Sequence, residues 1–549
     1  MTDVCDIDVL ILGAGINGAG LFRDLCEQGV TCALIDKGDF GSGTSAAPSR
    51  LIHGGIKYLE TGEFRLVAQS TLERNLLLRN APHFVMPLLT VIPIFSWWKG
   101  IPAALRTLFG STTAPRSRGA VLIKLGLILY DFYGARARVM PRHRFWQRRQ
   151  ALAEIPPLTP RIVAAGTYFD ASVTHPERLV LELVQDGMAA NAGSIALNYT
   201  DLTATDGKTL RFQPPQGPQI ALRPKIVVNA AGPWIDRVNR QLGLETQLIG
   251  GTKGSHILLD HPGLIRALNG RMIYFEADDG RICLVFDYLG RALVGSTDVR
   301  ASDPEAVACD DDEIAYFLAC LRNLLPGLTF DQSQIVSCYS GIRPLPWSDG
   351  MVAGLISRDH SAPIAEVVDG RAWPVISLVG GKWTTFRGFA EEVADAVLAR
   401  LSLPRRVSTK DLPIGGGRNF PADPMVWAKH CERESGLSAA RLLTLLGRYG
   451  SRAGMIATLE VGTAPLDPNG AWSESEIAWI ATHEQVEHLA DIVLRRTSMA
   501  LTGALTGALL LRIAIVAGRL HGWSDQRIET ELQATRDELE KRYRIKLNG

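Results

Sequence analysis

Apolar positions follow several rhythms along the chain. Residues 7–12 (IDVLIL) form a short apolar run closed by Gly13, and residues 31–35 form a second that ends before Asp36. Runs of this length bounded by turn signals predict parallel strands buried on both faces. The stretch between them, to about Gln28, carries helical spacing. Two later segments repeat the pattern: an apolar strand enters Asn-Ala-Ala-Gly-Pro-Trp at 229–234, and Leu378-Val precedes Gly380-Gly381 and a helix to about Arg400. Runs such as Ile282-Cys-Leu-Val-Phe and Ala292-Leu-Val predict strands of a separate, β-rich region. Residues 403–424 hold four prolines and Gly415-Gly-Gly417, which reads as a linker. Helical periodicity resumes over 425–448, 474–496, 498–519 and 524–544, the last charged throughout and expected to be solvated. No internal repeat is visible.

Composition narrows the class. The 549 residues are 46% hydrophobic and 21% charged, which excludes a disordered or fibrous chain, and 58 basic against 57 acidic side chains leave a net charge of +1. No nucleic-acid partner is therefore expected. The eight cysteines are scattered without a C-x-x-C pair, so neither a zinc or other metal site nor a disulfide framework is expected, and a reducing compartment is. Asp3, Asp6 and Asp8 precede the first strand, the reverse of a basic secretory leader. Residues 81–98 lack charge but contain three prolines, and residues 497–511 are too short for the roughly 20 that span a bilayer.

The first strand, turn and helix carry chemistry. In Gly13-Ala-Gly15-Ile-Asn17-Gly18, the first glycine permits the tight turn and the second lets backbone approach a pyrophosphate. The third lets helix and strand pack closely, and the helix N-terminus turns unpaired N–H groups to the phosphates. Asp36 stands where a carboxylate accepts from ribose hydroxyls. A dinucleotide is expected. The following Gly/Ser-rich loop, residues 38–55, could run along an extended cofactor toward a buried ring, which favours FAD over NAD.

Eight ordered motifs carry a family resemblance. They include Ile-Leu-Gly-Ala-Gly-Ile-Asn-Gly-Ala-Gly, Gly-Thr44-Ser45 with Ser49-Arg-Leu51-Ile-His53-Gly54-Gly55-Ile-Lys57-Tyr58, and Asn229-Ala-Ala231-Gly232-Pro-Trp. Lys253-Gly-Ser-His256, Gly295-Ser-Thr297-Asp298, Ser340-Gly-Ile-Arg343-Pro-Leu, Ser357-Arg358-Asp359 and Gly380-Gly381-Lys382-Trp-Thr384-Thr385 follow in order. Over residues 7–395 the chain resembles the FAD-dependent, quinone-linked glycerol-3-phosphate dehydrogenases. The resemblance implies an α/β plus α fold: an FAD-binding Rossmann-like domain of the glutathione-reductase type, an interleaved β-rich substrate or cap domain, and a C-terminal helical domain. The flavin unit is expected over residues 1–400. FAD-binding segments fall at about 1–80, 180–235 and 340–400, and cap segments at about 81–179 and 236–339. A linker follows over 401–424, then the helical domain over 425–549.

The same resemblance implies the reaction: oxidation of sn-glycerol 3-phosphate, with FAD as cofactor and a membrane quinone as acceptor. An oxygen-using FAD oxidase of another hydroxy or amino acid, or a catalytically dead flavin-binding module, remain alternatives. Oxidising a secondary alcohol on a flavin needs a base and, for a phosphate tail, cationic anchors. His256 is the preferred base with His53 as competitor, because imidazole titrates near neutrality. Arg343, in what reads as a rigid turn, is the main anchor, with Arg358, Lys382 and Lys57, and Tyr58 offers a phenolic hydrogen bond. Cofactor contacts are expected from Gly13, Gly15, Asn17, Gly18, Asp36, Thr44, Ser45, Ser49, Leu51, His53, Gly54, Ala231, Gly232, Asp298, Gly381, Lys382, Thr384 and Thr385, with Thr297 lining the flavin site. Free N–H groups after Gly380-Gly381 could stabilise negative charge on a reduced flavin. Lys57 replaces an Arg of the family pattern, His360 replaces an aromatic, and the segment at 168–178 lacks an Asp-Asp pair.

Charge is uneven. Residues 99–149 hold eleven Lys or Arg and one acid, interleaved with aromatic and aliphatic side chains. An anionic membrane surface, engaged peripherally from the cytoplasmic side of the inner membrane, is the expected partner. The tail has no visible catalytic cluster, so packing or a homodimer contact is its default role.

Overall fold

The structure is a computed structural model that describes residues 4–59, 62–99, 119–135, 139–301, 303–348, 359–463, 465–467 and 470–547. Two sheets organise the first 400 residues. The first has eight strands and is parallel at its centre: Val4–Leu12 lies between Cys32–Ile35 and Ile220–Asn229, and the latter continues to Val375–Ser377. Strand Val4–Leu12 buries Val9, Leu10 and Ile11 completely, as a central parallel strand with both faces covered must. Helices Ile16–Glu27, Pro176–Ala190 and Phe386–Leu401 pack together on one face of this sheet, and Trp373, Phe212 and Leu242 close the other.

The second sheet has ten strands, mostly antiparallel. Near one edge Ile249–Leu259 pairs with Ile335–Pro346 along eleven residues and with Arg291–Gly295 on its other side. The pairing of Val85–Ile94 with Ala164–Val173 extends the sheet outward. Strand Leu51–Ile52 also belongs here, so the chain leaves the nucleotide sheet directly after the Gly/Ser-rich loop and enters the second sheet. Arg343 lies within strand Ile335–Pro346 and not in a turn, since its paired neighbour Thr252 continues the ladder past it.

The proline- and glycine-rich stretch does not hang free. Arg405 bonds Asp24 at 2.8 Å and Asp395 at 2.6 Å, and the Ile414 N–H donates to the Asn80 carbonyl at 2.8 Å. Its glycines serve close packing: a Cβ on Gly416 would stand 2.2 Å from the Tyr449 carbonyl oxygen, and one on Gly417 2.2 Å from that of Asn80.

The helical tail is more broken than its periodicity predicts. Residues 425–448 divide into Pro424–Ser435 and Ala439–Tyr449, because Gly436 adopts a left-handed φ of 73° and ends the first helix. The 474–496 segment splits into Glu474–His483 and a π-turn, Asp491–Arg496, across Gln485 at φ 48°. The next helix begins only at Gly507, where the Thr506 side chain accepts from the Leu509 N–H. Helix Ala453–Glu460 has no counterpart in the sequence reading. The last helix, Asp525–Tyr543, is not solvated throughout: it buries Leu532, Thr535 and Leu539 against the tail's core.

Candidate active site

A cavity of about 1570 Å³ runs between the two sheets, from the glycine turn to the centre of the second sheet. At the nucleotide end, Gly13 takes φ 106° and its missing side chain leaves room for the Ala230 carbonyl, which a Cβ would approach to 2.7 Å. Gly18 lies beneath the turn and not on the cavity, where a Cβ would strike the Gly13 carbonyl oxygen. It packs helix on strand as its place in the motif predicts. Gly15 and Asn17 line the cavity, and Asn17 keeps a buried Oδ1 without a hydrogen-bond partner among the described residues. Asp36 accepts from the backbone N–H groups of Ala14 at 2.6 Å and Gly38 at 2.9 Å, and burial raises its pKa to about 6. Ser45 accepts from the Ile16 N–H at 2.9 Å, and Thr44 donates to the Ile342 carbonyl at 2.6 Å, tying the loop to the second sheet. Ala231 and Gly232 complete this end. Open glycine backbone, a partnerless buried oxygen and a half-buried carboxylate fit the donor and acceptor set of FAD.

At the far end, Ser49, Leu51, His53, Lys57, Tyr58, His256, Thr297, Asp298, Arg343, Gly381, Lys382 and Thr384 all border the cavity. The His256 ring is buried, lies 2.8 Å through Nε2 from Ser49 Oγ, and stacks on Tyr339 at 4.9 Å. Burial, reinforced by the guanidinium groups of Arg343 and Arg50, holds its pKa well below the usual imidazole value. The ring is neutral at physiological pH, the state a base requires. Arg343 donates through Nη1 to Asp298 at 3.0 Å and the Thr297 carbonyl at 3.1 Å, and through Nη2 to Ser296 at 2.9 Å. Asp298 therefore orients the arginine in addition to lining the cavity.

Lys382 lies over the Tyr58 ring at 4.6 Å and donates to Ser70 at 3.0 Å, and the His53 N–H donates to Thr384 at 3.2 Å. These contacts knit the His53–Tyr58 loop to the glycine turn. That turn leads into a 3-10 turn, Trp383–Thr385, so the α-helix starts later than the sequence predicts, at Phe386. Thr385 is buried off the cavity and donates to the Lys382 carbonyl. Gly54 is likewise off the cavity, with its N–H donating to Tyr130 Oη at 2.9 Å. Arg358 lies outside the described residues.

Three contributions escaped the sequence reading. Arg50, fully buried at φ 58°, forms a two-pronged pair with Glu177 at 2.8 and 2.9 Å beneath the rings of Tyr288 and Tyr339. Its charge faces the His256 pocket. Asp170, which borders the cavity, is held by Arg74 and Tyr130. Arg542 and Tyr543, from the end of the last helix, also reach the cavity wall, so the tail is more than packing.

A family model described as FAD dependent oxidoreductase matches residues 8–396, and one described as the C-terminal domain of alpha-glycerophosphate oxidase matches residues 407–528. The chain is 32% identical to a glycerol-3-phosphate dehydrogenase of Synechocystis sp., over 97% of this chain and 96% of that one. It is 29% identical to D-erythritol 1-phosphate dehydrogenase of Brucella abortus, over 89% and 94%. Its fold is similar to that of the glycerol-3-phosphate dehydrogenase from Bacillus halodurans complexed with FAD, with a TM-score of 0.75 at 22% identity over 98% of this chain and 95% of that one.

Proposed function

Because the chain belongs to the FAD dependent oxidoreductase family and takes FAD as its cofactor, we propose that it oxidises sn-glycerol 3-phosphate to dihydroxyacetone phosphate and delivers the two electrons to a membrane quinone. The observation that carries this reading is that a neutral histidine, Arg343, Lys382 and Lys57 line the same cavity. A phosphate tail calls for cations, and a secondary alcohol calls for a base.

FAD, when bound, supplies the hydride acceptor. Gly13, Gly15 and the first turn of helix Ile16–Glu27 would hold its phosphates, and Asp36 would accept from its ribose. Arg343 presents a fork whose orientation Asp298 and Ser296 fix, and Lys382 and Lys57 add point charges for the same dianion. Tyr58 steadies Lys382 from beneath. His256 takes the hydroxyl proton, its ring oriented by Ser49 and Tyr339. Leu51, Met272, Leu284 and Tyr339, from one buried cluster, give this end of the cavity an apolar wall.

A quinone acceptor requires contact with a bilayer, and the surface supports it. Helix Ala120–Tyr133 buries Ile123, Leu127 and Tyr130, yet its opposite stripe of Val121, Leu125, Ile128 and Phe132 is exposed, Phe132 by 72%. Trp97 and Trp98 are exposed at the end of strand Val85–Ile94, and Lys99, Lys124, Arg142, Arg144, Arg148 and Arg149 are exposed as well. The remaining cations of the basic segment lie outside the described residues. No helix among the described residues is long and apolar enough to cross a membrane, which fits docking on the surface. Replacing Ile128 and Phe132 together by Asp is expected to weaken binding to anionic vesicles about 100-fold, at ~1.5 kcal/mol per buried side chain. Turnover with a short-chain soluble quinone is expected to stay unchanged. Sedimentation with vesicles checks the first, and binding equal to the unmodified protein rejects this face.

The acceptor is tested by steady-state turnover on glycerol 3-phosphate with a short-chain quinone and, separately, with dissolved oxygen. Rapid quinone reduction with little peroxide is expected. Peroxide released at the rate of substrate loss replaces the quinone by oxygen.

A further inference from the structure

The loop that walls the nucleotide end is gripped from outside the flavin unit. Within residues 36–45, Asp36 to Gly38 and Ser42 to Ser45 border the cavity, while Asp39, in the stretch between them, does not and is 1% exposed. Its carboxylate accepts from Arg496 Nη1 at 2.7 Å and Nη2 at 2.9 Å, from Arg495 Nε at 2.6 Å and from Asn198 Nδ2 at 3.0 Å. Both arginines come from the π-turn Asp491–Arg496 of the C-terminal domain, a coil wider than the α-helix. From it two adjacent side chains reach one carboxylate.

The grip continues on the other side of the loop. Arg495 Nη2 also bonds Asp491 and, at 3.2 Å, Tyr199 Oη, and Tyr199 Oη donates to Asp491 at 2.5 Å. The Tyr199 backbone N–H donates to the Gly38 carbonyl at 2.9 Å, and the Thr200 N–H to that of Asp36 at 2.8 Å. The Gly41 N–H donates to the Ala14 carbonyl at 3.0 Å, which joins the loop to the glycine turn. Four buried charges, Asp39 and Asp491 against Arg495 and Arg496, thus form one network around the segment that shapes the ribose and pyrophosphate subsites. Burying paired charges contributes little net stability against an apolar equivalent, and its best-attested use is to fix one geometry.

We propose that Arg495 and Arg496 are positioning residues for FAD: through Asp39, the C-terminal domain holds the 36–45 loop in its dinucleotide-binding shape, and the chain retains FAD tightly only with that domain docked. The proposal rests on the cofactor and not on the substrate assigned above, and its test reads FAD alone.

Arg495→Lys and Arg496→Lys in one chain keep both charges and lose the planar forks. Apoprotein titrated with FAD, followed by quenching of flavin fluorescence, is expected to show a Kd raised at least tenfold over the unmodified protein. The rise in Tm that saturating FAD gives is expected to shrink, because the variant weakens the holoprotein more than the apoprotein. Arg441→Lys, which disturbs a buried cluster with Glu460 and Glu476 inside the same domain, is expected to lower both Tm values together and leave the Kd alone. An unchanged Kd in the double variant, with apo and holo Tm falling equally, reduces the network to a domain fastener and overturns the proposal. Hydrogen exchange on the unmodified protein gives a reading free of any variant. FAD is expected to protect the amides of 491–496 together with those of 36–45, and protection confined to the loop overturns the proposal equally.

Discussion

Arg343→Ala is expected to lower kcat/KM for glycerol 3-phosphate about 1,000-fold, near 4 kcal/mol of transition-state stabilisation, while FAD stays bound. Two effects add. The substrate dianion loses a two-pronged, charge-assisted partner. Asp298, which Arg343 meets at 3.0 Å, keeps its negative charge at the cavity without this guanidinium beside it and repels the same dianion. The loss should appear mainly in KM with a smaller fall in kcat, and Arg343→Lys should recover part of it, since a lysine keeps the charge and not the fork. Initial rates over a wide substrate range check this, with the flavin absorbance confirming cofactor content. Unaltered kinetics in Arg343→Ala removes the anchor.

His256→Asn is the second large effect. A positioned base is worth about 100- to 10,000-fold in rate, and the rate constant for flavin reduction at saturating substrate is expected to fall by that factor. Asparagine keeps a polar group near Ser49, so the pocket changes little in shape, and KM should move far less than the reduction rate. Rapid mixing in the absence of oxygen isolates the step from reoxidation. His53→Asn serves as the comparison: His53 also borders the cavity, and its backbone bonds to Thr384 and Lys382 survive the substitution. A large fall in His53→Asn with His256→Asn near normal transfers the base to His53.

What could be read from the sequence was what chemistry places close together along the chain. The strand, glycine turn, helix and second strand with Asp36 are all encoded between Val4 and Asp36, so their periodicity and spacing are visible in one window. The cavity then gathers almost every residue that the motifs point to, from Gly13 to Thr384. Gly18, Gly54 and Thr385 shape that wall from behind rather than facing the cavity, because each is filled by a neighbour: the Gly13 carbonyl, Tyr130, or the Lys382 carbonyl.

The remainder depends on partners that local patterning does not bring together. Arg50 finds Glu177 across 127 residues, and Asp39 finds Arg496 across 457. A charged residue in a glycine- and serine-rich loop reads as surface until its counter-ion is placed beside it. The tail failed for another reason. Its helical rhythm is continuous through Gly436 and Gln485, and only their left-handed backbone shows where the helices stop.

The most direct measurement of the central claim is the colour of the protein mixed anaerobically with candidate substrates. The purified chain should be yellow, lose its oxidised-flavin absorbance rapidly with glycerol 3-phosphate, and keep it with lactate or amino acids. A longer polyol phosphate should reduce it more slowly. A flavin that stays oxidised with glycerol 3-phosphate, or that bleaches as fast with lactate, contradicts the pairing of a buried isoalloxazine with a phosphate-binding cation cluster.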